Sequence, residues 1–231
     1  MNKKHLNPAW LVPLLLLTGV AQAGDRLAVN RVSFNATGSH ALAMIQGVQD
    51  GSGFPVARLH LLNTSTGREW KVSSQTQNTS TTAQALMTTL LNAQKPNLKQ
   101  QGYASGVTST PRFKRTFPMQ APTWQEGAGA GQTEQNSVKL WTRAVPVNVQ
   151  VLPAQTPCKY TNMLPQGTTP ARVVLRVNGQ QVAATAVPCA ARYSLERVDV
   201  KGNRALFTLR AYTPGFEGPN AEPLFIATTL Q

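Results

Sequence analysis

The chain has 231 residues, 41% of them apolar, and a formal net charge of +13. That length fits one domain or two small ones sharing a core, and the apolar content excludes a disordered chain. Only 13% of residues are charged, so the basic balance comes from scarce acids; this counts against a dense basic patch while still favouring polyanions such as envelope polysaccharide, anionic lipid heads or nucleic acid.

Residues 1–23 predict a secretory signal peptide. Lys3, Lys4 and His5 form a basic start, an apolar run follows from Ala9 to Leu17, and Ala21-Gln22-Ala23 is an A-x-A cleavage pattern. The run is too short for a membrane span, which needs roughly 20 apolar residues, and it contains Pro13. No Cys follows the cleavage point, so no lipoprotein anchor is expected, and no later stretch could span a membrane. The expected organisation is a signal peptide at 1–23 and a single secreted domain at 24–231, periplasmic or released. Within it lie an N-terminal meander plus helix (24–96), an irregular middle (97–136) and a C-terminal β half (137–231).

Four strands are expected first, at Arg26–Phe34, His40–Gln46, Val56–Leu62 and Arg68–Val72, from alternating apolar residues between Gly- and Asn-rich turns. In the loop Gly47–Pro55, GVQDGSGFP, three glycines allow positive φ and Pro55 blocks a helix. The sequons at Asn35, Asn63 and Asn78 read as turn or cap chemistry. An amphipathic helix packed on a sheet follows: Thr81 and Gln84 form a capping box, Ala83, Leu86, Met87, Leu90 and Leu91 form the stripe, and Pro96 stops it.

The middle is irregular. No acid occurs between Glu69 and Glu126, while Arg112-Phe113-Lys114-Arg115 is the tightest basic cluster, so Lys95, Lys99, Arg112, Lys114 and Arg115 are the candidate polyanion contacts. Gly127–Gly131 lacks the flanking elements and the Lys-Ser/Thr of a phosphate loop. In the second half Val138–Trp141, Val147–Val151, Arg172–Val177, Gln181–Val187, Leu195–Val200, Ala205–Tyr212 and Leu224–Thr229 read as strands, with hairpin turns at Asn178-Gly179 and Lys201–Asn203. The fold class is therefore mainly β (α+β), with antiparallel meanders that are propeller-blade-like or sandwich-like. Cys158 and Cys189, an even pair in an exported chain, predict a disulfide rather than a metal site.

SFNATGSHALAMI followed by VARLHLLNTSTGREWKV resembles one blade of a β-propeller, although Thr37 stands where the blade pattern usually has Asp. GVQDGSGFP together with TPGFEGP at Thr213–Pro219 resembles a family of predicted secreted bacterial proteins, a domain of unknown function, DUF2259. The resemblance spans most of the exported chain and implies no activity, cofactor or partner.

Two histidines, His40 and His60, remain after the signal, and neither H-E-x-x-H nor G-x-S-x-G occurs. No catalytic or metal-binding residue and no cofactor is assigned. Asp50 and Glu217 sit in the two family-like loops, with Ser52, Phe54 and Phe216 as further candidate ligand contacts. Three functions fit: a non-enzymatic binding or scaffold module of the envelope, a polyanion binder acting through the basic middle, and a hydrolase using Asp50 and Glu217. N-terminal sequencing of exported protein should return Gly24; a chain that still begins at Met1 would overturn the signal assignment.

Overall fold

The computed structural model describes residues 24–49, 51–103, 106–117, 121–155 and 157–230, so the signal segment and Asp50 lie outside the described residues. The first four strands are β1 (Ala28–Phe34), β2 (His40–Val48), β3 (Pro55–Asn63) and β4 (Glu69–Gln75). They form the expected antiparallel meander, with order β4-β3-β2-β1. The sequon residues shape its turns: Asn63 Oδ1 accepts from the N–H groups of Ser65 and Thr66, and Asn35 Oδ1 from that of His40.

The helix α1 (Ala83–Gln100) differs from expectation at both ends. Its cap is Thr82, whose Oγ1 accepts from Ala85 N at 3.1 Å, one residue later than expected. At the other end it runs through Pro96, which removes one backbone donor at a cost of about 3 kcal/mol. Continuation buries Leu98 against the sheet, which recovers about 2 kcal/mol, while the exposed Asn92 leaves its carbonyl to water. Gln101 N then closes on Asn97 O, and Gly102, at φ +76°, ends the helix. Leu86, Met87, Leu90 and Leu98 pack on Leu42, Leu59 and Leu61, so α1 covers one face of the first sheet.

The middle is less irregular than its composition suggests. Val107–Thr108 (β5) adds to the β1 edge, Phe113–Lys114 (β6) pairs with Val198 and Arg197, and Ala128–Gly129 (β7) pairs with Tyr193 and Arg192. Next come β8 (Thr133–Lys139), which starts inside the stretch expected to be irregular, β9 (Ala144–Pro153), β10 (Ala171–Val177) and β11 (Gln180–Thr185). They form a second sheet of order β11-β10-β9-β8. Asn178 and Gly179, both at positive φ, make the expected β10–β11 turn.

The strands β12 (Arg192–Lys201), β13 (Arg204–Pro214) and β14 (Pro219–Thr229) form the third sheet with β6 at its edge. This sheet is the centre of the molecule. One of its faces packs Tyr193, Leu195, Phe207 and Leu209 on Val147, Val149, Val173 and Leu175 of the second sheet. From the other, Leu206, Phe225 and Ala227 pack on Phe34, Ala43 and Ile45 of the first. Helix, meander, central sheet and second sheet are thus stacked face to face. The blade-like meander is one layer of a sandwich. The Cys158–Cys189 disulfide ties the approach to β10 to the turn entering β12, across a separation of 31 residues. Closing a loop of that length is worth about 3–4 kcal/mol in the chain-entropy model.

The face of the central sheet that meets the meander carries Ser194, Glu196, Arg197, Asp199, Thr208 and Arg210, all buried. A bulge between Leu195 and Arg197 inserts Glu196 as an extra residue and turns it toward Arg210. The Arg210 Nε and Glu196 Oε2 atoms lie 2.5 Å apart, off the N–H axis, while the guanidinium donates squarely to Glu196 Oε1 at 3.0 Å. It also donates to Ala221 O at 2.9 Å and Leu27 O at 2.8 Å. Breaking a buried pair on one side strands the other charge, at about 3–5 kcal/mol. Glu196→Ala and Arg210→Met should each lower the urea-unfolding free energy by about that amount. A loss under about 1 kcal/mol in either, a value typical of exposed pairs, would show that the pair is not structural.

Candidate functional site

The chain has nine acidic residues, and six meet a basic partner: Glu126–Arg26, Glu222–Arg58, Glu69–His60, Glu134–Arg115, Asp199–Arg197 and Glu196–Arg210. Asp199 holds Arg197 with both oxygens, at 2.6 and 2.8 Å. Glu126 also accepts from the Tyr212 hydroxyl at 2.9 Å, and burial raises the pKa of that phenol above its usual value. Gly127, at φ +68°, lets this turn approach β12 so closely that a β-carbon there would lie 2.6 Å from Tyr193 O. Glu134 accepts from Arg115, Asn136 and Leu195 N.

The two family-like loops lie at one end of the molecule, on either side of the segment Gly24–Arg26. Asp25 N donates to Asn220 Oδ1, and Ala221 N donates to Asp25 O. On the other side Gly24, Asp25, Arg26, Gln49, Gly51 and Gly53 line a shallow recess. Ser52 Oγ accepts from Phe54 N at 3.3 Å and serves the loop's own turn. Phe216 is 90% exposed at the tip of the β13–β14 hairpin, and Glu217 beside it is exposed. With Asp50 outside the described residues, no Asp50–Glu217 geometry is read.

The five basic candidates lie on two different layers. Lys95 and Lys99 are exposed on α1, beyond the meander, whereas Arg112 and Lys114 are exposed along the edge of the central sheet. Arg115 is bound to Glu134 at 2.6 Å. Phe113 turns inward and packs against the core of the central and second sheets.

One feature went unread in the sequence. A groove of about 610 Å³ runs between the last turns of α1 and the ends of β2, β3 and β4. Leu61 lines it, and Trp70, paired opposite Leu61 and 37% exposed, forms a wall. His40, Asn63, Arg68, Asn97, Gln100 and Gln101 supply polar groups. Ser39 Oγ lies 3.2 Å from His40 Nδ1, and burial lowers the His40 pKa below its usual value. Glu69, also at the groove, has its carboxyl pKa lowered, first by the hydrogen bond from His60 at 2.6 Å. Among the described residues no cluster of His, Cys, Asp or Glu could hold a metal ion, and no helix is long and apolar enough to cross a membrane.

The model of a family described as predicted secreted protein, DUF2259, matches residues 43–229. No curated protein and no solved structure matches the chain.

Because the folded His40 pKa lies below its unfolded value, the unfolded chain binds the extra proton as pH falls through about 6.5. Stability from this residue is therefore full above that pH and declines below it. His40→Gln should flatten the stability slope between about pH 7 and pH 5 in urea titrations; an unchanged slope would refute the assignment.

Proposed function

Since the chain belongs to the DUF2259 family of predicted secreted proteins, we propose that it is a non-enzymatic binding module of the cell envelope that receives polyanionic polymer. One observation supports this above the others: most of the acids are held by basic partners, four of them with carboxyl side chains no more than 15% exposed. The outward charge is then set by lysines and arginines such as Lys95, Lys99, Arg112, Lys114, Lys139, Arg143 and Arg172, all exposed. Such a surface attracts polyanions by counterion release, with little specificity and a steep dependence on salt. Within it Arg112 and Lys114 stand side by side on an exposed sheet edge and form the primary contact, with Lys95 and Lys99 in support. Arg115 is excluded because it holds Glu134. Periplasmic residence follows from the same reading, since the envelope is where anionic polysaccharide and lipid heads lie.

The protein should be retained on immobilised heparin and released as salt rises. The pair Arg112→Gln and Lys114→Gln should elute at clearly lower salt than wild type. Equal elution with a control pair, Arg172→Gln and Lys139→Gln, would reduce the interaction to global charge and remove any special role for this edge.

A further inference from the structure

We propose that the groove beside Trp70 is a binding site for a neutral saccharide of one or two rings, separate from the charged surface. The groove's volume, about 610 Å³, falls within the roughly 300–1,000 Å³ of small-molecule sites. Its composition is unusual for so polar a chain. An indole is left 37% exposed on the same sheet face as the buried Leu61, although α1 covers Leu59 and Leu42 on that face. A pyranose ring has an apolar C–H face whose slightly positive hydrogens suit the electron-rich face of an indole. Its rim of hydroxyls needs groups that both donate and accept.

Those groups are present in the groove. The carboxamides of Asn63, Asn97, Gln100 and Gln101 border the same space as Trp70. Gln100 and Gln101 each carry two donors and an acceptor, whereas the Asn63 oxygen serves Ser65 and Thr66 and Asn97 Nδ2 donates to Gln94 Oε1, so Asn63 offers its N–H groups and Asn97 its oxygen. His40 adds a ring nitrogen: Nδ1 lies beside Ser39 Oγ, and Nε2 has no protein partner among the described residues. The backbone under this wall is fixed. Asn35 Nδ2 donates to Gln101 O at 3.0 Å, and the Tyr103 hydroxyl donates to His40 O at 2.8 Å. The recognition groups are therefore carried on an anchored helix end and a strand start, so little order is lost on binding.

The electrostatics select a neutral ligand. Arg68 and Glu69 are the charged residues of the groove and oppose each other in sign. The helix end that faces the groove is its C-terminus, whose negative dipole opposes the positive charge of Lys99 in the same last turn. A carboxylated or sulfated sugar would find one arginine opposed by Glu69, whereas hydroxyls meet the neutral carboxamides of Gln100 and Gln101.

The test is calorimetric titration of the exported chain with maltose, cellobiose and N,N′-diacetylchitobiose, at low and at high sodium chloride. At least one should bind, with an affinity that changes less than twofold between the two salts. Trp70→Ala should weaken it at least tenfold, Gln100→Ala severalfold, and Trp70→Phe should restore most of the loss. Far-ultraviolet dichroism checks that the edge-strand variants fold. Heparin elution measured on Trp70→Ala should stay at the wild-type salt, which separates this site from the polyanion surface. Failure to bind any of the three, undiminished binding by Trp70→Ala, or binding only of galacturonate dimer in a salt-dependent manner would each overturn the proposal. Loss of heparin retention by the Arg112 and Lys114 pair, with disaccharide binding intact, would support it.

Discussion

A guanidinium without water is the constraint from which the rest of this architecture follows. Arg210 has no exposed surface and lies on β13, with sheets packed on both sides. Desolvating such a group costs several kcal/mol unless its donors are occupied. The acceptors come from three separate places: Glu196 on β12, the Ala221 carbonyl on β14 and the Leu27 carbonyl at the entry to β1. Only a register that brings all three together is tolerable. The pair does not make the fold more stable than a well-packed apolar core would. It penalises a slip of β12 against β13, which would separate Glu196 from Arg210 and strand a buried charge, and a shift of the meander that withdraws the Leu27 carbonyl would leave one of the guanidinium donors unmet.

The same constraint explains which parts of the fold were legible in the sequence. The meander strands were, because His40–Val48 and Pro55–Asn63 carry apolar residues bounded by Asn- and Gly-rich turns. So were the Asn178-Gly179 turn and the Cys158–Cys189 bond. The position of β12 and β13 at the centre was not. Arg192–Lys201 contains five charged residues and reads as a strand with one wet face, yet its polar side chains are matched inside a dry interface. Arg197 and Asp199 pair within the strand and Glu196 pairs across the hairpin, but alternating charges of this kind are equally at home on a solvated face, so the pairing leaves no signal of burial. Short strands such as Phe113–Lys114 were missed for a related reason: they exist only because a longer strand offers them an edge.

The candidate sites were less legible than the fold. Nearness in sequence suggested that Lys95 to Arg115 would form one surface, but the chain crosses from the outer helix to the central sheet within that interval. The groove exists because α1 continues past Pro96, where the sequence suggests a stop. If α1 ended there, Asn97, Gln100 and Gln101 would not stand opposite Trp70. Burial of Leu98 and the closing bond from Gln101 N to Asn97 O together offset the proline, and the first is a tertiary contact that no local propensity reports.

The placement of the acids also governs how copies of the chain meet one another. Six of the nine are turned toward basic partners within the fold, Asp199 and Glu196 most deeply, so the exposed charge is predominantly of one sign. Like-signed surfaces repel over roughly a Debye length, about 10 Å at 0.1 M salt. Copies of this chain are therefore kept apart electrostatically, and added salt, not a change in the fold, is what lets them approach. The ion pairs that close the core thus also set the distance between molecules.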